Sequence, residues 1–148
     1  MIRVHGTSVT LGSDGVLLQG PSGSGKSDLA LRLIDAGALL VADDQTELTL
    51  AGDGVQMSAP AAIAGRIEVR GLGILRVPNA PSAVLRLAVM LVAPQQIERL
   101  PEPRFCELLG RSVPLLALAP FEASALTKLK LALRAYRTGA LDRVFMTS

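Results

Sequence analysis

The stretch GPSGSGKSD, Gly20 to Asp28, interrupts a chain otherwise rich in Leu, Ala and Val. Three glycines, a proline and three serines in nine residues make neither a good helix nor a good strand. The flanks differ sharply from it. The short apolar segment GVLLQ (Gly15–Gln19) precedes it and reads as a strand. The segment SDLALRLIDAG follows and reads as a helix, with Leu29 and Leu33 on one face, Ala30 and Ile34 beside them, and Gly37 as a C-terminal stop. A strand, a glycine-rich loop and a helix in that order confine the fold to the α/β class.

Within the loop, Gly20, Gly25, Lys26 and Ser27 satisfy the phosphate-loop pattern G-x-x-x-x-G-K-[ST]. Glycines let the backbone take positive φ and wrap closely around an anion. Successive N–H groups then point inward as a nest, and the helix that follows adds its unpaired amides and dipole. Lys26 is placed to reach the β- and γ-phosphates, and the Ser27 hydroxyl to ligate Mg²⁺. The bland alternative is a flexible Ser/Gly turn. At ordinary residue frequencies the four specified positions coincide in a chain of this length with a probability below about one per cent. The expected nucleotide-binding residues are therefore Gly20, Pro21, Ser22, Gly23, Ser24, Gly25, Lys26 and Ser27.

Binding a nucleoside triphosphate does not by itself say where a phosphate goes. Transfer needs a group that orients or deprotonates the acceptor, a metal, and positive charge for the transition state. The apolar run ALLVA (Ala38–Ala42) has the look of a strand buried on both faces, and it ends in Asp43 and Asp44. A strand parallel to the one before the loop brings both aspartates to the carboxyl edge, where ligands of open α/β sheets sit. Side chains alternate along a strand, so one carboxylate is expected to face the metal and the other the acceptor hydroxyl.

The rest of the chain reads as strands and a closing helix. VHGTSVTL (Val4–Leu11) forms a hairpin with the strand before the loop, TELTLAGDGVQMS a second one turning at Asp53-Gly54, and RIEVRGLGILRV two extended pieces broken by glycines. AVLRLAVMLV and VPLLALAP are further strands, and PQQIERLPEPRF is a surface loop. FEASALTKLKLALRAYR is an amphipathic helix with Leu126, Leu129, Leu133 and Tyr136 at helical spacing, and the tail TGALDRVFMTS carries no signal. The expectation is one domain over residues 1–148, a mixed sheet with a helix after the phosphate loop and another at the C-terminus.

Composition limits the alternatives. The chain is 49% hydrophobic with a mean hydropathy of +0.41, yet its longest apolar runs, such as LAVMLVAP, fall short of the ~20 residues of a membrane-spanning helix. The surplus is expected either in a tight core or in an oligomer interface. A net charge of +2 with scattered basic residues gives no case for nucleic acid as a partner. The single cysteine, Cys106, leaves no intrachain disulfide and suits a reducing cytoplasm, and the N-terminus lacks the apolar block of a signal peptide.

Taken together, GPSGSGKSDLAL, LLVADD and IEVRGLGIL resemble the catalytic domain of the HPr kinase/phosphorylase family, whose members phosphorylate a seryl residue of the phosphocarrier protein HPr and can remove it again. The resemblance covers the chain to about Val77 and thins to ERLPEP and the last helix beyond. It implies ATP and Mg²⁺ as cofactors and an HPr-like phosphocarrier as partner. It also implies that His5 is an active-site histidine, and that Lys26 and Ser27 serve the phosphates and the metal. Asp44 becomes the base in the kinase direction and the acid in reverse. Asp43 and Glu68 then lie near the metal, with Arg70 in the same signature and Arg99 as a later active-site arginine. It further implies a short form without the N-terminal regulatory domain, and a homo-oligomer, hexameric in the family.

The chain also departs from the family pattern. Asp28 stands where a glutamate is common, and Ala38 where a histidine often is. The segment after RGLGI is short and proline-interrupted. In place of the basic, glycine-containing loop associated with dephosphorylation the chain has LAPFEASALTK, which weakens the case for the reverse reaction. Two other classes compete with the protein kinase. A small-molecule kinase needs an arginine-rich lid that is not visible. A non-enzymatic nucleotide-sensing module has no need of the carboxylates.

Overall fold

In the computed structural model, residues 1–138 are described, which leaves most of the uninformative tail outside them. Eleven strands and two helices follow one another along the described chain. They are β1 (Ile2–His5), β2 (Thr7–Leu11), β3 (Asp14–Gln19), α1 (Lys26–Asp35), β4 (Leu39–Ala42), β5 (Gln45–Ala51), β6 (Gly54–Ser58), β7 (Arg66–Val69), β8 (Gly73–Arg76), β9 (Ser82–Leu91), β10 (Arg104–Leu108), β11 (Arg111–Leu118) and α2 (Ala125–Thr138). The mixed α/β class is as expected.

The main sheet runs β1-β5-β6-β9-β3-β2-β4, with β11 joined parallel to β9 and β10 antiparallel to β11; β7 and β8 form a separate hairpin. β3 is antiparallel to β2, and β2 to β4, so β4 points the same way as β3 although β2 lies between them. β9 is parallel to β3 and β11 parallel to β9. Four strands therefore end at one edge. The loops that leave this edge are the phosphate loop after β3, Asp43-Asp44 after β4, the Arg99 segment after β9 and Pro120-Phe121 after β11.

The period-two alternation of the strands divides the core. Val16 and Leu18 of β3 face α1 and α2 together with Val9, Leu40, Leu87, Val89 and Leu118. Leu17 points to the other face, where Val41, Leu48, Val55, Met57, Leu85 and Ala88 pack as β5 and β6 fold back over the sheet. Leu40 and Val41 thus lie on opposite faces of β4, which meets the expectation of a strand buried on both sides, even though β4 is an outer strand. α1 seats Leu29, Ala30 and Leu33 on the sheet. α2 seats Ala125, Leu129, Ala132 and Leu133, with Leu126 and Tyr136 at the margin of the same stripe.

Three expectations need correction. The strand expected over Val4–Leu11 is broken at Gly6: β1 pairs with β5, and only Thr7–Leu11 forms the hairpin with β3. The β5–β6 hairpin turns at Gly52-Asp53, because Ala51 pairs with Gly54; Gly52 supplies the positive φ of 60° that the two-residue turn demands. The stretch PQQIERLPEPRF is not loop throughout. Its last two residues open β10, an outer strand with mostly exposed side chains whose pairing with β11 is closed by Leu109 and Gly110, both at positive φ. Such a strand draws its stability from a partner strand and little from burial, so no apolar pattern announces it.

Candidate active site

The phosphate loop leaves β3 at Gln19 and enters α1 at Lys26. Gly20, Gly23 and Gly25 all carry positive φ, as the motif requires. Gly25, the N-cap of α1, stands at φ 103° and offers no side-chain cap, so the first amides of the helix are free of side-chain acceptors. The Ser24 hydroxyl oxygen is buried in the loop without a hydrogen-bond partner. A buried polar atom left unpaired beside uncapped amides fits a loop built around an anion. Lys26 is buried and donates from Nζ to the carbonyl oxygens of Gly20 (2.7 Å) and Pro21 (3.0 Å), which fixes its ammonium at the start of the loop.

The two aspartates at the end of β4 differ completely in surroundings. Asp43 is buried and accepts three hydrogen bonds. Oδ1 receives the hydroxyls of Ser27 (2.8 Å) and Thr7 (3.2 Å), and Oδ2 receives the backbone N–H of Glu68 (3.1 Å). Asp44 follows with φ 67°, a left-handed conformation that Asp tolerates better than most residues. That turn reverses the chain into β5 and throws the Asp44 carboxylate outward, with 64% of its side chain exposed. There Oδ1 receives Nε2–H of His5 at 2.7 Å. Sheet register explains the meeting: His5 pairs with Gln45, and the Gly6 N–H donates to the Asp44 carbonyl at 2.8 Å.

Thr7 is a member of this cluster that the sequence did not single out. Its hydroxyl donates to Asp43 and accepts the Asp44 N–H at 3.1 Å, tying both aspartates to β2. A threonine in an alternating strand carries no signal of that role.

β7 meets the site through its backbone. Ile67 is buried in the core beneath α1, and the Glu68 N–H is held by Asp43, while the Glu68 side chain is exposed. Arg70 opens the three-residue turn between β7 and β8, where Val69 pairs with Gly73. Arg99 lies in the segment between β9 and β10. Both arginines are exposed, and neither makes a hydrogen bond or ion pair with any described residue. The structure thus joins Ser27, Asp43, Asp44, His5 and the backbone of Glu68 by direct bonds, and leaves Arg70 and Arg99 on loops without such ties.

For a metal, the donors on offer are oxygens of the hard class that Mg²⁺ prefers. The Ser27 hydroxyl gives its hydrogen to Asp43, so its lone pairs stay available to a cation. Among the described residues no group of three or more His, Cys, Asp or Glu side chains is arranged to hold an ion. A hydroxyl beside a carboxylate is a donor set of the kind Mg²⁺ uses when it takes one or two protein ligands. A cavity of about 660 Å³, lined by Asp14, Asp53, Arg86 and Arg111 among others, opens at the opposite ends of β3 and β11 and shares no residue with this cluster. Among the described residues no helix is long and apolar enough to cross a membrane.

Comparisons with known proteins converge on one family. The family described as the HPr Serine kinase C-terminal domain matches residues 1–116. The HPr kinase/phosphorylase of Caldanaerobacter subterraneus subsp. tengcongensis is 42% identical over 113 residues, which cover 74% of this chain and 36% of that protein. The protein of the same name from Xanthomonas campestris pv. campestris is 43% identical over 101 residues, covering 63% and 32%. The chain therefore spans about a third of the length of these curated relatives. Among solved structures, the Hpr(Ser) kinase/phosphatase from Coxiella burnetii superposes with a TM-score of 0.81 at 26% identity, covering 99% of this chain and 96% of that one. A family match over most of the chain, relatives above 40% identity and a shared architecture agree: the chain belongs to the HPr serine kinase C-terminal domain family.

Proposed function

We propose that this chain is an ATP- and Mg²⁺-dependent protein serine kinase of the cytoplasm whose substrate is an HPr-like phosphocarrier protein. The carrying observation is the hydrogen-bonded set Ser27–Asp43 with Asp44–His5 immediately beside it, at the edge where the phosphate loop opens. The names of the relatives supply the substrate class.

The chemistry follows from the differing surroundings of the two aspartates. Asp43, buried and triply bonded, orients the Ser27 hydroxyl and keeps it pointed at the loop. Asp44 stands exposed with one oxygen engaged by His5, and its other oxygen is free to accept the proton of an incoming serine hydroxyl. The serine oxygen then bonds the γ-phosphorus, the bond from that phosphorus to the bridging oxygen breaks, and ADP leaves with the electron pair. Lys26 and the uncapped amides of the loop balance the charge on the phosphoryl oxygens. Mg²⁺ would be held through the Ser27 hydroxyl, with Glu68 close by on β7, and would supply Lewis-acid charge to the phosphates. His5 holds the Asp44 carboxylate in position, and Arg70, in the turn after β7, and Arg99, in the segment after β9, supply charge. The exposed acceptor face around Asp44 suits a serine presented on a protein surface.

The decisive experiment incubates the protein with γ-labelled ATP, Mg²⁺ and an HPr-type protein, and locates the label. Label on a serine of the carrier, lost in Asp44→Asn with nucleotide binding intact, is the expected result. Normal transfer by Asp44→Asn overturns the assignment of the base. Transfer to a metabolite but not to the carrier favours a small-molecule kinase, and ATP binding without turnover favours a sensor.

A further inference from the structure

The loop after β11 places an aromatic ring directly on the phosphate loop. A β-carbon built on Gly25 would lie 2.8 Å from Phe121 Cζ and 3.2 Å from Pro120 Cγ, so the ring stands over the Gly25 α-carbon at the entrance to α1. Phe121 is nonetheless 70% exposed. One side of the ring covers the loop while most of it faces solvent.

The residues on either side of Phe121 are tied down at three points. The Pro120 carbonyl accepts a hydrogen bond from the Arg32 guanidinium of α1, which Asp28 steadies through a 3.0 Å bond. The Glu122 N–H closes a turn on the Ala119 carbonyl at 3.4 Å, and Lys128 of α2 donates to the Glu122 carboxylate at 2.6 Å. An exposed aromatic flanked by residues anchored to both helices is preorganised for a ligand. It also lies beside the very residues that receive the phosphates, at the sheet edge where four strand ends converge.

We propose that Phe121 is the stacking platform for the base of the bound nucleoside triphosphate, so that this loop, and not only the phosphate cradle, sets affinity for ATP. Every base offers a π-face on which an aromatic side chain can stack. The proposal rests on the nucleotide-binding reading above and assigns a specificity-determining residue to it.

Titration calorimetry with Mg²⁺ present, using ATP and inorganic tripolyphosphate as paired probes, separates base from phosphate. The unaltered protein is expected to bind ATP roughly ten-fold more tightly than tripolyphosphate. Phe121→Ala and Phe121→Leu are expected to lose that advantage while holding tripolyphosphate as before, and Phe121→Trp to keep it. Because the side chain is mostly exposed, the variants remain folded, and their tripolyphosphate binding verifies this. Unchanged ATP affinity in Phe121→Ala overturns the proposal. So does an equal loss for both probes, which would mean that the ring only shapes the loop. If the unaltered protein binds neither probe, the nucleotide reading itself fails and takes the platform with it.

Discussion

Asp43 and Asp44 are adjacent in sequence, yet one carboxylate is buried under three hydrogen bonds while the other stands in solvent 2.7 Å from His5. The left-handed backbone at Asp44 produces the split, by reversing the chain between β4 and β5. The neighbouring acids are therefore placed differently, one to hold the site together and the other, in the proposed function, to act on the acceptor.

Replacing the exposed acid tests the chemistry alone. Asp44→Asn retains the positive φ comfortably, since Asn shares the tolerance of Asp for that region. It is expected to lower kcat by about 10²–10⁴-fold with ATP affinity nearly unchanged. Steady-state phosphate transfer and calorimetry on the same preparation check both parts.

Replacing the buried acid tests the scaffold. Asp43→Ala leaves the hydroxyls of Thr7 and Ser27 and the Glu68 N–H without their acceptor. A loss of about 2–4 kcal/mol is expected, against less than about 0.5 kcal/mol for Asp44→Asn. Denaturant midpoints of the two variants measure the contrast, and equal midpoints would contradict it.

Gly25 is constrained twice. Its φ of 103° disfavours any β-carbon, and the space such an atom would need is held by Phe121 and Pro120. Gly25→Ala is expected to destabilise the fold by about 1–3 kcal/mol and to abolish measurable tripolyphosphate binding. Thermal unfolding and calorimetry read the two effects separately.

Metal dependence should run through the Ser27 hydroxyl. Chelation of Mg²⁺ is expected to abolish transfer. Ser27→Ala is expected to raise the Mg²⁺ concentration needed for half-maximal ATP binding by about ten-fold or more. A magnesium titration of the variant measures this, and an unchanged midpoint would remove Ser27 from the metal site.

Cys106 provides a control away from the site. Burial pushes its thiol pKa above the ordinary value, only partly offset by a backbone hydrogen bond. The thiolate fraction at any given pH is thereby reduced, so alkylation near neutrality should be slower than for a free thiol and should accelerate as pH rises. The sign for stability is the same: ionisation favours the unfolded chain, and stability declines as pH climbs through the thiol range. Cys106→Ser should keep full transfer activity.

Local order alone made the centre of the site legible. An apolar strand, the glycine-rich loop, an amphipathic helix and a second apolar strand ending in two acids each carry their own signal, because turn chemistry and hydrophobic period act over a few residues. β10 had no such signal, since it is exposed and exists through its pairing with β11. The turn at Gly52-Asp53 shifted by one residue for a related reason, as cross-strand register selects which residues of a glycine-containing loop must turn.

What the sequence by itself determined is the glycine-rich loop between strand and helix and the class of fold around it, because those depend on backbone freedom and residue period. Tertiary structure alone decided which aspartate is buried, that Thr7 binds both, that His5 meets Asp44 across thirty-nine residues, and that Phe121 covers Gly25. These depend on strand register and on the convergence of four strand ends at one edge, long-range relations that no local pattern encodes.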